Sequence, residues 1–156
     1  MNVEPQARAN WPALRERAAH ACAERGTPLT ELREAVLREL WAAHAPLGAY
    51  ELADRMKGRG GGHLAANSAY RVLTLFQQLG LVRRVESKHA YVVAGTERAD
   101  VFLLCNGCGA ATAVCDGEIA ALLAARSDAL GFHASRQIVE VTGRCHDCDG
   151  KVREVG

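Results

Sequence analysis

Apolar residues recur at helical spacing through the first half of the chain, and strand-like apolar runs punctuate the second. Trp11 to Arg25 reads as a helix that Gly26 closes from the position after its C-cap. Thr30 is a good N-cap, and "TELREAVLRELWAA" places Leu32, Val36 and Leu40 on one stripe. Ala49 to Met56 forms a short third helix. A loop, "KGRGGGHL", follows, because three consecutive glycines do not continue a helix. Asn67 or Ser68 can cap a fourth helix running to Leu79, with Gly80 ending it. Its residues Ala69, Val72, Leu73, Phe76 and Leu79 make the stripe expected to be buried. "LVRRVES" and "AYVVA" then read as two strands joined by a turn at Ser87–His89.

The polar stretch "AGTERAD", Ala94 to Asp100, separates this part from the remainder of the chain. Beyond it the pattern predicts a strand, a tight cysteine turn, the strand "AATAVC", and a helix over Asp116 to Leu130. A last strand, "RQIVEVTG", leads into a second cysteine turn. The expected class is α+β, with residues 1–94 as one domain, 95–100 as a hinge and 101–156 as a small α/β domain. In the first domain, helices followed by a hairpin carrying Arg83, Arg84 and Lys88 give the winged-helix order. There the last helix enters the major groove of DNA and the wing lies near the backbone.

Composition narrows the setting. At 156 residues and 49% hydrophobic content, the chain suits one compact domain or two small globular ones. No apolar run is long enough to span a bilayer, so no membrane partner is expected. "MNVEPQARANW" lacks the apolar middle of a secretory signal, which predicts residence in the cytoplasm. In that reducing setting six cysteines serve better as metal ligands or reactive thiols than as disulfides. Residues 1–94 hold 13 Lys and Arg against 9 Asp and Glu, residues 95–156 hold 6 against 9. The first part is thus positive and suits a polyanion.

The paired spacing in "CNGC" and "CHDC" places Cys105, Cys108, Cys145 and Cys148 as two knuckles able to close a tetrahedral zinc site. Gly107 and Gly109 ease the first turn. The alternatives are two disulfides, which an unexported chain disfavours, and a redox pair. A redox CxxC usually opens a helix, whose dipole lowers the thiol pKa, whereas here it is expected to sit in a strand-to-strand turn. One structural zinc per protomer is the expectation, contributing ~10–16 kcal/mol of apparent binding free energy to folding. Four thiolates leave no open position, so such an ion holds the fold rather than senses. Cys22 reads as a small buried apolar residue, and Cys115 as packed or reactive. His20, His44 and His63 read as helix-end or loop residues. Only His89, His133 and Cys115 are candidates for a second metal site.

On the fourth helix, the face opposite the apolar stripe carries Tyr70, Arg71, Thr74, Gln77 and Gln78, with no acidic residue among them. An ordinary solvated face would look the same. Arg can nevertheless pair with guanine, Gln with adenine, and Thr with a base edge or a thymine methyl.

"RGTPLTELREAVL", "AYELADRM", "NSAYRVLTLFQQLGLVRRVES" and the paired CxxC turns resemble, in order and spacing, the ferric uptake regulator family. "VESKHAYVV" resembles most its zinc uptake regulator branch. The resemblance implies a winged helix that binds a palindromic operator in double-stranded DNA, and an α/β domain that makes the homodimer. It implies a metal-loaded repressor of metal-uptake genes, and no enzymatic activity. By position it assigns Tyr70 and Arg71 to the recognition helix; Ser68, Thr74 and Gln77 on the same helix are expected to contact DNA with them. Tyr50, Arg25 and Lys88 complete the expected DNA contacts. Leu32 stands where a Gln is frequent. The family also places a sensory metal between its domains, ligated by His, Cys and Glu near wing and hinge. Here those positions hold Arg83, Ala94, Arg98 and Ala113, and Arg136 replaces a further His. Arg83 and Arg98 offer fixed positive charge instead, with Glu86, Glu97 and Asp100 within reach in sequence.

Three function classes therefore stand. The first is a zinc-containing dimeric repressor of zinc-uptake genes with an atypical or missing sensory site, or a member of the same family answering another signal. The second is a zinc-ribbon module for protein or RNA contacts, against which the Tyr70–Arg71 face argues. The third is a thiol enzyme using Cys115, for which no general base or cofactor loop is in evidence.

Overall fold

The computed structural model describes residues 10–58, 64–95 and 101–153, the last four of these by backbone only. The "KGRGGGHL" loop, for the most part, and His63, Glu97, Arg98 and Asp100 lie outside them. The chain divides into two compact units after Gly95.

Four helices and a hairpin build the first unit: α1 (Trp11–Glu24), α2 (Glu31–Ala42), α3 (Ala49–Lys57), α4 (Ala66–Gln78), β1 (Val82–Val85) and β2 (Ala90–Val93). Side-chain caps start two of the helices. Asn10 accepts from the Ala13 N–H at 2.9 Å, and Thr30 Oγ1 from the Arg33 N–H at 3.4 Å. On α2 the buried residues include Val36, Leu37 and Leu40. Leu32 is 39% exposed while Leu37 is fully buried, so the buried stripe is displaced from the expected one. The α4 stripe holds for Ala69, Val72, Leu73 and Phe76, all buried. That helix begins one residue before Asn67, at Ala66, and no side chain caps it. Buried Leu64 (2% exposed) anchors the approach instead, so packing sets the start where capping propensity does not.

Leu14, Leu37, Leu52, Phe76 and Leu81 meet in one core, each such burial favouring the fold by about 1.5–3 kcal/mol. Strands β1 and β2 pair antiparallel, Val82 opposite Val93 and Val85 opposite Ala90. A single 3-10 turn over Glu86–Lys88 joins them and ends at His89, whose φ is 48°. Leu47, just before α3, exchanges backbone hydrogen bonds with Tyr91 at 2.9 and 3.0 Å. This one-residue bridge ties the entry of α3 to the wing.

In the second unit, β3 (Val101–Cys105), β4 (Ala111–Val114) and β5 (Val139–Gly143) form a sheet ordered β4-β3-β5. The β3–β4 pair is antiparallel and the β3–β5 pair parallel. The crossover between β4 and β5 carries α5 (Gly117–Ala129), whose N-cap Asp116 accepts from Glu118 and Ile119 N–H groups at 2.9 and 3.2 Å. No residue of α5 is buried. A further helix, α6 (His146–Arg153), was not expected from the sequence. The Cys145 carbonyl accepts from the Cys148 and Asp149 N–H groups, and Asp147 and Asp149 sit where the N-terminal dipole favours negative charge. The second cysteine turn therefore does open a helix, contrary to the sequence reading. No helix among the described residues is long and apolar enough to cross a membrane.

Candidate metal centre and nucleic-acid interface

Strand β3 ends on buried Cys105, and the turn after it carries exposed Cys108. Because β5 lies parallel beside β3, with Cys105 opposite Gly143, the chain leaves β5 next to that turn and delivers Cys145 and Cys148 to it. The four sulfurs all lie within 4.8 Å of one another. A zinc–sulfur distance of about 2.3 Å in a tetrahedron separates the sulfurs by about 3.8 Å. Cys108 Sγ and Cys145 Sγ are already 3.9 Å apart. The donor set therefore fits one closed four-thiolate ion.

The backbone is arranged for a thiolate at this point. Cys105 Sγ accepts from the N–H groups of Gly107 (3.3 Å), Cys108 (3.5 Å) and Cys145 (3.3 Å). The Cys108 N–H, then that of Cys145, hold the Cys105 pKa down to about 5. Cys148, hydrogen-bonded first to Cys145 and next to Cys105, is pushed up to about 12. Thiolates this close repel one another, and a bound cation would offset that repulsion while ligation releases protons. Gly107 packs closely enough that a Cβ there would lie 2.8 Å from Cys148 Cβ and Sγ. Gly109, with φ at 77°, closes the turn in the left-handed region. Convergence of all four thiols separates this cluster from a redox pair, although its second CxxC opens α6.

Among the described residues no other group of three or more His, Cys, Asp or Glu side chains converges. His89 Nδ1 lies 2.9 Å from Arg84 Nη2. His133 is exposed after α5, and Cys115 is half-buried after β4. The second-site candidates thus form no cluster within their own units.

In the first unit α4 exposes Tyr70, Arg71, Thr74 and Gln78, with Ser68 and Gln77 on the same helix. The helix contains no acidic residue. Tyr50, on α3 and 70% exposed, meets Tyr70 edge to face, with centroids 6.2 Å apart at 85°. Such a pair contributes about 0.5–1.5 kcal/mol beyond its buried area and links the exposed faces of α3 and α4. The polar face of the helix gave Tyr70 and the family resemblance gave Tyr50, but neither gave their contact. Arg25 caps the C-terminus of α1, and Lys88 sits at the tip of the wing, both exposed. Neighbouring cations are tied to acids: Arg55 to Glu51 at 2.9 Å, Lys57 to Asp54 at 3.1 Å, and Arg84 to Glu86 at 3.4 Å. Arg25, Arg71 and Lys88 make no ion pair among the described residues.

The same architecture occurs in solved structures. Holo XcZur is 33% identical, with a TM-score of 0.75 over 90% of this chain and 99% of its own. A zinc uptake regulator complexed with zinc and DNA shares the fold at a TM-score of 0.83 and 24% identity, covering 93% of this chain and 99% of that one. The zinc uptake regulation protein of Escherichia coli (strain K12) is 26% identical over 139 residues, 86% of this chain and 81% of its own length. The sequence profile of the ferric uptake regulator family matches residues 24–142. With the match running from the end of α1 into β5, this chain belongs to the ferric uptake regulator family.

Proposed function

We propose that the protein is a cytoplasmic, homodimeric, DNA-binding transcriptional regulator of the zinc-uptake type. It acts as a repressor, has no catalytic activity, and holds one structural zinc per protomer on Cys105, Cys108, Cys145 and Cys148. Residues 1–94 bind DNA, 95–100 connect, and 101–156 carry the metal and the dimer contact. The observation that carries this reading is Arg71, exposed and unpaired on an acid-free helix beside the Tyr50–Tyr70 pair. Arg71 and Tyr70 address base edges, with Ser68, Thr74 and Gln77 on the same helix, while Arg25 and Lys88 meet phosphates. The names of the Escherichia coli relative and of the zinc- and DNA-bound structure support the same reading.

The second unit exposes Leu103 and Val141, register partners on one sheet face, together with Leu122, Leu130 and Phe132. A shallow apolar pocket lies between Leu103, Thr112 and Val141. A second copy of the chain is the occupant proposed for this surface, since two recognition helices related by a two-fold axis match a palindromic duplex. Selection from a pool of random duplexes by the zinc-loaded protein tests the whole reading. A two-fold symmetric sequence should emerge, bound at least about a thousandfold more tightly than random duplex. Equal affinity for all sequences would refute it.

A further inference from the structure

The residue at which the chain leaves the winged-helix unit is pinned from two sides. Ala94 is 5% exposed, and its N–H donates to the Leu81 carbonyl at 2.9 Å. Its own carbonyl accepts from Arg17 Nη2 at 2.6 Å. Arg17 comes from the middle of α1, 77 residues earlier in the chain. A guanidinium donating to a carbonyl is a charge-assisted bond, stronger than a neutral one and fixed in direction by the planar fork. Arg17 Nε is buried and has no partner among the described residues. The side chain is therefore inserted at this point at a cost in desolvation, and its one strong contact is the exit residue.

The family resemblance places an exchangeable sensory metal around this exit, with ligands at positions 83, 94, 98 and 113. The chemistry of the residues present does not fit one. Ala94 and Ala113 have no donor atom, and an arginine at 83 or 98 brings positive charge with no lone pair to offer a metal. This holds whatever the arrangement of the two units. The nearest histidine of the wing, His89, faces the Arg84 guanidinium.

We propose that this protein has no exchangeable sensory ion. Arg17 on the Ala94 carbonyl is the permanent cation that fixes the exit of the winged-helix unit, so operator binding is independent of free zinc. The second half rests on the regulator reading above. An ion that comes and goes shifts a conformational equilibrium only by its differential affinity for the two states. A side chain of the protein itself cannot dissociate, so it holds one state at every zinc concentration. Free zinc then acts on this protein only through occupancy of the four-cysteine site.

The test uses the full-length protein, dialysed against EDTA and then titrated with zinc sulfate. Metal per chain is counted by plasma mass spectrometry, and affinity is measured for the duplex recovered by selection. One zinc per chain should survive dialysis, no second zinc should saturate, and duplex affinity should change by less than about twofold on titration. A second saturable zinc per chain that raises affinity about tenfold or more overturns the proposal. Arg17→Ala should weaken duplex binding at least about fivefold and leave the zinc count at one. It should also speed amide exchange at Ala94 while α4 stays protected, and Arg17→Lys should recover part of both effects. Should Arg17→Ala not fold, Arg17→Gln, which keeps donors and removes the charge, is read in the same assays. Wild-type duplex affinity in a folded charge-removing variant overturns the role of Arg17. If no duplex is recovered under any condition the regulator reading fails, while the zinc count still decides the absence of a second ion.

Discussion

A methyl group on Gly107 has nowhere to go, which makes Gly107→Ala a direct probe of the metal centre. The added Cβ would lie 2.8 Å from Cys148 Cβ and Sγ, and 3.6 Å from Cys105 Sγ. Carbon atoms in contact sit about 3.5–4.0 Å apart, so the overlap is about 0.7–1.2 Å. Neither neighbour is the free end of a flexible side chain. Cys148 is built into the first turn of α6, and Cys105 Sγ is held by three backbone N–H groups. Overpacking of this kind costs about 1–3 kcal/mol. The cost falls mainly on the loaded form, because without an ion the two knuckles can move apart. Zinc affinity should therefore drop about 5- to 150-fold. Competition for zinc against a chromophoric chelator at fixed pH measures it, since ligation releases protons. Gly117→Ala is the control: it stands at the start of α5, and a Cβ there meets nothing within 4 Å. If Gly107→Ala matches wild type within about twofold while Gly117→Ala does too, the two knuckles do not share one ion as described.

Three further outcomes are expected. Arg71→Ala should cost ~1–3 kcal/mol on the selected duplex and relax preference at one position per half-site, whereas Lys88→Ala should weaken all duplexes alike and flatten the salt dependence. Comparable loss on selected and random duplex would move Arg71 to the phosphate contacts. Glu34 accepts from Arg15 Nε at 2.9 Å, and that hydrogen bond, aided by the charges of Arg15 and Arg38, holds its pKa below the ordinary value of 4.5. A depressed carboxylate stabilises above its unfolded pKa and loses that contribution as pH falls through its folded one. Glu34→Gln should thus melt below wild type at neutral pH, with the difference closing under acid; a gap that persists there removes the ion pair as its cause. Val141→Asp, placing a charge on a half-exposed edge-strand position (50% exposed), should shift sedimentation toward monomer with zinc retained, and an unchanged dimer would place the interface elsewhere.

Much of this was legible because local chemistry decides it. Gly26 and Gly80 end helices with φ at 69° and 68°, Thr30 and Asp116 start them, and the two expected strands of the wing pair antiparallel. The cysteine spacing gave the four-thiol cluster able to hold zinc, since a CxxC turn can bring two sulfurs to one ion without help from the fold. What was not legible depends on packing across the chain. Leu32 has the right period for the α2 stripe but sits past its edge, while Leu37 is fully buried. The start of α4 follows buried Leu64 rather than the better caps beside it. The "HDCDGKVR" segment carries a helix-breaking Gly, yet becomes α6 once the Cys145 carbonyl captures two N–H groups. Arg17 on Ala94 leaves no periodic trace at all, because its partner is a backbone atom 77 residues away.

Net charge, read from sequence alone, is a poor guide to where this unit would meet a polyanion. The structure sorts its cations by partner. Arg15 and Arg38 are tied to Glu34, Arg55 to Glu51, Lys57 to Asp54 and Arg84 to Glu86. A paired charge acts at a distance as a dipole, and salt screens it within about 8 Å at physiological strength. Arg33 is spent on Thr27 Oγ1 and the Pro28 carbonyl, and Arg17 on Ala94. What remains unpaired among the described residues of the first unit is Arg25, Arg71 and Lys88. So sparse a set gives modest non-specific attraction, which is electrostatic and indifferent to sequence. On the proposed reading, discrimination then comes from directional contacts, whose candidates sit together on the α4 surface. There the Tyr50–Tyr70 contact ties α3 to α4, and the buried stripe holds the helix that carries Arg71. Pre-positioned contacts lose less entropy on binding, so few charges can suffice for selective recognition.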